Sequence, residues 1–219
     1  GDISFPESDE VKIRIMNTFA AQNRAVTAED YVSLIYQMPA KFGSIKRARV
    51  MRDPDSVYRN INIYTISEDS EGLLVETNSA IKENLKVWLS GKKMINDTID
   101  ILDAKIVNYG INFSILASKN LNRFDVLNNA IEALVEKFGN TAYSIGEPVF
   151  ITDVYNVLND LDGVVDTVDV KLVSKSGGLY SDLEFDFSSN LSNDGRYLKV
   201  PKNVIMELRF PTIDIKGVV

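Results

Sequence analysis

The apolar and polar positions along the chain predict four amphipathic helices. The first begins after Thr27, a residue type suited to N-capping, carries Glu29 and Asp30 in its first turn, and ends before Pro39. Its apolar residues recur at intervals of three and four, which places them on one helical face. The same spacing predicts helices over residues 77–89, 122–139 and 152–161, each followed or closed by a glycine.

Alternation of apolar and polar residues predicts strands between these helices. The longest covers residues 105–118, where six apolar residues occupy every second position from Val107 to Ala117. Shorter alternating runs predict strands over residues 45–51, 60–66 and 168–172. We therefore expect sheets that each pack one face against helices.

Residues 174–219 are rich in Ser, Gly and Asn, and we expect this tail to lack a helix. Two short extended runs, at residues 196–200 and 204–210, interrupt it, and Pro201 and Pro211 bracket the second run. Prolines in strands belong at ends or edges. The second run is either an edge strand that pairs with another copy or subunit, or a strand that closes its own sheet and is buried. The interface residues that the first alternative predicts are Val204, Met206, Leu208 and Phe210.

A short internal similarity suggests tandem units. A Thr-capped helix, a glycine-containing turn and a short alternating strand are predicted in residues 26–51 and again in residues 151–172. The predicted fold is α+β: small α/β units with helices packed on mostly antiparallel sheets, followed by a β-rich tail. The predicted domains are a lead-in segment (1–22), a first unit (23–119), a second unit (120–174) and the tail (175–219).

Composition excludes several function classes. The 219 residues include 24 basic and 31 acidic side chains, and the net charge of −7 opposes binding to nucleic acid. No apolar run is long enough to predict a membrane span. The chain has no cysteine and no histidine, which excludes disulfides and zinc–thiolate sites and removes the usual general base near neutral pH. We expect no catalytic residues, no metal, no cofactor and no small-molecule substrate.

The motifs that could carry chemistry fit structural roles better. In the segment ending at Gly163, an EF-hand alignment would put Leu158 at the first ligand position, where an oxygen is needed. After Gly91, Lys93 stands where a phosphate loop has Ser or Thr. Three carboxylate pairs could support acid–base chemistry, but helix capping, a strand junction and a solvated strand face explain them. These pairs are Glu29/Asp30, Asp100/Asp103 and Glu184/Asp186.

Three segments carry a family resemblance. Residues 23–31, with the sequence NRAVTAEDY, resemble the signature of the baseplate J-like family of contractile phage tails. Residues 162–170 resemble the later strand entry of that family, and residues 200–211 resemble the tail of baseplate wedge proteins from T-even-type phages. The resemblance runs from about Ile13 to the C-terminus. The chain begins with Gly1 rather than methionine, which suggests a fragment or a processed product. The resemblance implies that it is the C-terminal part of such a protein.

The resemblance implies a structural role. It predicts a non-enzymatic wedge subunit that forms homodimers or larger self-assemblies, binds other wedge proteins, and resides in the virion tail after assembly in the host cytoplasm. One alternative is a tail-associated module for receptor or carbohydrate recognition, against which the predicted helices count. Another is a carboxylate-dependent hydrolase, which the missing histidine disfavours.

Overall fold

The computed structural model describes residues 24–53, 56, 60–139, 141 and 143–219. The predicted lead-in segment lies outside these residues. The chain divides after Ala104 into two compact units. This division differs from the predicted boundary after residue 119, because the long strand that was assigned to the first unit belongs to the second.

The first unit packs helices on one face of a four-stranded sheet. Strand β2 is central, and β1 pairs with it antiparallel. Strand β4 pairs parallel with the first part of β2, and β3 pairs antiparallel with its last two residues. The elements are α1 (Ala28–Tyr36), a 3-10 turn (Ala40–Phe42), β1 (Arg47–Arg52), β2 (Asn60–Glu68), β3 (Leu74–Val75), α2 (Ser79–Ser90) and β4 (Thr98–Asp103).

The core of the first unit follows from the helical stripes and the strand alternation. Ile63 stands between Val50 of β1 and Ile101 of β4 in the register of the sheet. Leu34 of α1 and Leu85 of α2 are buried in the same apolar cluster. Burial of these apolar surfaces is the main favourable term that holds the helices on the sheet.

The second unit is built around the long strand β5. Strand β7 pairs antiparallel along one side of β5, and β9 and β10 pair parallel with successive segments of its other side. The elements are β5 (Lys105–Ala117), α3 (Arg123–Gly139), β6 (Val149–Phe150), α4 (Ile151–Asn159), β7 (Val164–Lys175), α5 (Phe187–Asn190), β8 (Tyr197–Leu198), β9 (Val204–Glu207), α6 (Pro211–Asp214) and β10 (Ile215–Val218).

The alternation predicted for β5 places its odd-numbered residues in the core. Tyr109 and Ile111 are fully buried, and Leu134 of α3 and Leu158 of α4 belong to the same cluster. Asn122 caps the start of α3, at the predicted position. Its Oδ1 accepts a hydrogen bond of 3.1 Å from the backbone N–H of Phe124. The second unit thus has its own core.

The α+β prediction is confirmed, and both main sheets are mixed. The expectation that the tail lacks a helix was wrong, because α5 and α6 each form one turn within it. Asp186 caps α5 by accepting hydrogen bonds from the backbone N–H groups of Ser188 and Ser189. Pro211 occupies the start of α6, where its missing N–H costs nothing. A single turn is too short to show helical periodicity.

The internal similarity corresponds to one shared arrangement. In each unit, a nine-residue helix precedes a strand that runs antiparallel to the central strand: α1 precedes β1, and α4 precedes β7. The helix starts differ, however. Thr27 is the N-cap of α1, whereas Phe150 precedes α4 without a capping side chain, and Thr152 lies inside that helix.

Replacing Thr27 with alanine is expected to destabilise the first unit by about 1 kcal/mol, the usual loss for an N-cap. The Thr27 hydroxyl accepts from the Asp30 N–H at 3.2 Å, and the Asp30 carboxylate accepts from the Thr27 N–H at 2.9 Å. This reciprocal pair is a capping box. Urea unfolding would measure the loss, and Thr152→Ala, which removes no cap, is the matched control. Unchanged stability combined with lost partner binding would instead mark Thr27 as a contact residue.

Candidate interaction surfaces

The predicted interface strand lies in the core of its own unit. Val204, Met206 and Leu208 are 4%, 1% and 9% exposed, and they belong to the cluster around β5. Phe210 is half-buried, with its ring 5.6 Å from that of Tyr180. The four side chains therefore form no exposed apolar surface on this chain. Of the two alternatives, the strand that closes its own sheet agrees with this burial.

Each predicted carboxylate pair includes a side chain that forms hydrogen bonds or an ion pair within its own unit. The backbone N–H of Thr27 donates to Asp30 and lowers the pKa of that carboxyl. The side chains of Ser188 and Ser189 donate to Asp186 and lower its pKa to about 2. Asp100 accepts from Asn60 at 2.9 Å, and Asp103 pairs with Lys82 at 2.5 Å. With their pKa values lowered in this way, Asp30 and Asp186 are poor general acids at neutral pH.

Within residues 24–53, 56, 60–139, 141 and 143–219, no group of His, Cys, Asp and Glu side chains is placed to hold a metal ion. No helix in that described part of the chain is long and apolar enough to cross a membrane.

A polar cleft of about 320 Å³ lies beside β4 and α2. Asn60 and Asp100 line it from the sheet, and Lys82 and Lys86 line it from the helix. Asp100 and Lys82 already have partners, in Asn60 and Asp103 respectively. The cleft therefore presents both acidic and basic side chains, and neither sign of charge dominates it.

A smaller apolar cavity opens at the start of α1. Its volume is about 170 Å³, and Val26, Tyr31, Val50 and Ile61 form its apolar walls. Arg52 also lines it, together with Thr27 and Ala28. Tyr31 is fixed there, since its hydroxyl donates to Asp97 at 2.7 Å and both residues are buried. We call this the α1 cavity. Residues 26–28 of the sequence signature form part of its lining.

The second unit carries a projecting loop at residues 176–181, which we call the Leu179 loop. Gly177 and Gly178 adopt φ values of 77° and 66°, which glycine tolerates best. The Gly177 N–H donates to the Ser181 carbonyl at 3.1 Å, and the Tyr180 N–H donates to the Gly177 carbonyl at 3.1 Å. These bonds close a tight turn. Leu179 projects from it and is 74% exposed.

A buried polar network anchors this loop to the sheet. The Tyr180 hydroxyl donates to Asp214 Oδ1 at 2.7 Å, and Asp214 is fully buried. The Ser181 N–H donates at 2.7 Å to Oδ1 of Asn108, which is also fully buried. The hydrogen bond to Asp214 raises the pKa of Tyr180 to about 12. The loop is therefore fixed at two points, by hydrogen bonds from Tyr180 and Ser181 to buried side chains.

Sequence reasoning missed both the α1 cavity and the Leu179 loop. It interpreted Thr27 only as a helix cap and assigned residues 176–181 to a tail rich in Ser, Gly and Asn. A signal was present in each case. Val26, which is 57% exposed, precedes a capping threonine, and Leu179 follows a Gly–Gly pair that favours a turn.

Comparison with known proteins shows a shared fold. No protein-family model matches the sequence, and no curated protein does. The structure is similar to a chain in the cryo-EM structure of the anti-feeding prophage (AFP) baseplate, 6-fold symmetrised, with a TM-score of 0.54. The two share 10% sequence identity, and the match covers 92% of this chain and 41% of the baseplate chain. The chain thus spans about two fifths of the length of that neighbour.

Proposed function

We propose that this chain is a structural subunit of a contractile-tail baseplate, where it forms part of a wedge and associates with further copies of itself. The observation that carries the proposal is the fold shared with a chain of the AFP baseplate over 92% of this chain. A match of this extent includes both compact units, so it concerns more than one common α/β motif.

The sequence supports the same role independently of the fold. The segment that resembles the baseplate J-like signature forms the capped start of α1, and the second segment forms the entry to β7. The composition agrees, because a chain without histidine or cysteine lacks the usual general base near neutral pH and the thiolate nucleophile. The proposed role is non-enzymatic and needs no cofactor.

The partners in this proposal are other baseplate wedge proteins and further copies of the chain. Its location is the virion tail, after assembly in the cytoplasm of the bacterial host. A receptor- or carbohydrate-binding module is the alternative, and the α+β architecture counts against it because such modules are usually all-β.

Copy number in purified tail particles tests the proposed function. We expect quantitative mass spectrometry with labelled peptides to find a fixed number of copies per particle, in a multiple of six if the ring follows the 6-fold symmetry of the neighbour. Absence of the chain from assembled particles would contradict the proposal. The non-enzymatic part has its own test: zinc, calcium or nucleotide retained at one per chain after dialysis would contradict it.

A further inference from the structure

We propose that the Leu179 loop of one copy inserts its leucine into the α1 cavity of a second copy. This contact rests on the proposed self-association and deepens it by naming the two surfaces that meet. It also differs from the interface predicted from sequence, because it uses none of the side chains of Val204, Met206, Leu208 and Phe210.

The Leu179 loop is rigid. Single exposed leucines are common on protein surfaces, so exposure alone carries no argument. Here the neighbouring Tyr180 and Ser181 are tied to buried Asp214 and Asn108 by hydrogen bonds of 2.7 Å. A loop that is already ordered loses little conformational entropy when it binds, so the buried leucine surface contributes more fully to affinity.

The leucine of the loop and the α1 cavity match in size and polarity. At about 170 Å³, the cavity is smaller than the range of about 300–1,000 Å³ that is usual for small-molecule sites. One aliphatic side chain suits a cavity of this size with walls of Val26, Val50 and Ile61. An apolar anchor that fills such a pocket is the arrangement found at the centre of protein interfaces.

The loop and the cavity also carry opposite charges. Asp182 follows the loop and is exposed, and Arg52 lines the cavity and is exposed. Neither side chain forms an ion pair within the part of the chain that the structure describes. Opposite charges beside an apolar contact fix its register and disfavour wrong partners. A second copy supplies both the apolar and the charged complement.

The contact joins two different surfaces of the same chain. In a symmetric dimer it occurs twice, because each copy offers its loop to the cavity of the other. We expect this dimer for the isolated chain, because two-fold dimers are the commonest homo-oligomers.

Sedimentation equilibrium with matched variants measures the energetic role of the contact. Leu179→Ser is expected to raise the dissociation constant of the dimer at least tenfold, whereas Leu116→Ser, at a leucine that is 54% exposed, should leave it unchanged. Arg52→Asp and Asp182→Arg should each weaken the dimer, and the double variant should recover most of the loss. Circular dichroism would check that every variant remains folded.

Cysteine pairing tests the geometry, because the chain contains no cysteine of its own. A chain carrying Leu179→Cys is mixed with one carrying Val26→Cys under mild oxidation. We expect a disulfide between the two, which requires Cα atoms within about 7 Å. Leu116→Cys mixed with Val26→Cys should give none.

The outcomes separate this proposal from the proposed function. A wild-type dimer that Leu179→Ser leaves intact, without the disulfide, overturns the loop contact and leaves self-association standing. A wild-type monomer of 24.5 kDa at high micromolar concentration overturns both the loop contact and self-association of this chain. The baseplate role is then decided by copy number in particles.

Discussion

Leu208→Asp is expected to unfold the second unit. Leu208 is 9% exposed and lies in the apolar cluster that surrounds β5. An aspartate there would place an unpaired carboxylate among apolar side chains, where its desolvation is not compensated. We expect a loss above about 4 kcal/mol, a large share of the stability of a small domain. Urea unfolding followed by circular dichroism would detect it as a missing or strongly shifted transition.

Leu179→Asp is the matched control for this substitution. It introduces the same charge in the same unit, but at a leucine that is 74% exposed. At a concentration where the dimer is dissociated, its effect on the stability of the monomer should stay within about 0.5 kcal/mol, as for most surface substitutions. A Leu208→Asp variant that stayed folded and lost self-association would instead support the interface predicted for Val204, Met206, Leu208 and Phe210.

The sequence alone was sufficient to predict the elements that have a long repeating pattern or a clear cap. The six alternating positions of β5 predicted a strand, and the structure places it at Lys105–Ala117. Thr27 and Asp30 predicted the start of α1, and both capping hydrogen bonds are present. In these cases a local periodicity or a cap decides the conformation, so no information about distant residues is needed.

The boundary between the units could not be predicted in this way. Only Ala104 separates β4 from β5. No glycine or proline marks this junction, and apolar positions continue across it. Hydrogen bonds to distant residues define the division instead. The N–H of Ala104 donates to Thr65 in the first unit, and the N–H of Lys105 donates to Asn203 in the second.

The candidate interaction surfaces were beyond sequence reasoning for a related reason. Alternation in residues 204–210 shows that one side of the strand is apolar, but the same pattern suits burial in the home core or against a partner. Its actual neighbour, β5, is about a hundred residues earlier: Asn108 donates to Glu207 across 99 positions. The Leu179 loop likewise depends on Asn108 and Asp214, which no local signal connects to it.

Asp214→Ala is expected to cost the second unit about 3 kcal/mol, because hydrogen bonds to buried charged groups are among the stronger ones. Asp214 is fully buried and accepts from the Tyr180 hydroxyl at 2.7 Å and from the Phe210 N–H at 3.1 Å. Lys175 lies 3.5 Å from the same carboxylate. Asp194→Ala removes an exposed carboxylate that accepts from Ser192, and it should leave the stability almost unchanged.

The pH dependence of stability separates the Tyr180–Asp214 hydrogen bond from the rest of the network. Folding raises the pKa of Tyr180 from 10.0 to about 12, so the folded state retains a proton that the unfolded state loses between these values. The stabilisation is therefore complete below pH 10 and is lost as the pH rises towards 12. Tyr180→Phe lacks this proton. We expect the stability difference between wild type and Tyr180→Phe, measured by urea unfolding, to be constant below pH 10 and to shrink above it. If the difference stayed constant through that range, the Tyr180 hydroxyl would not be bound to Asp214, and the Leu179 loop would lose one of its two anchors.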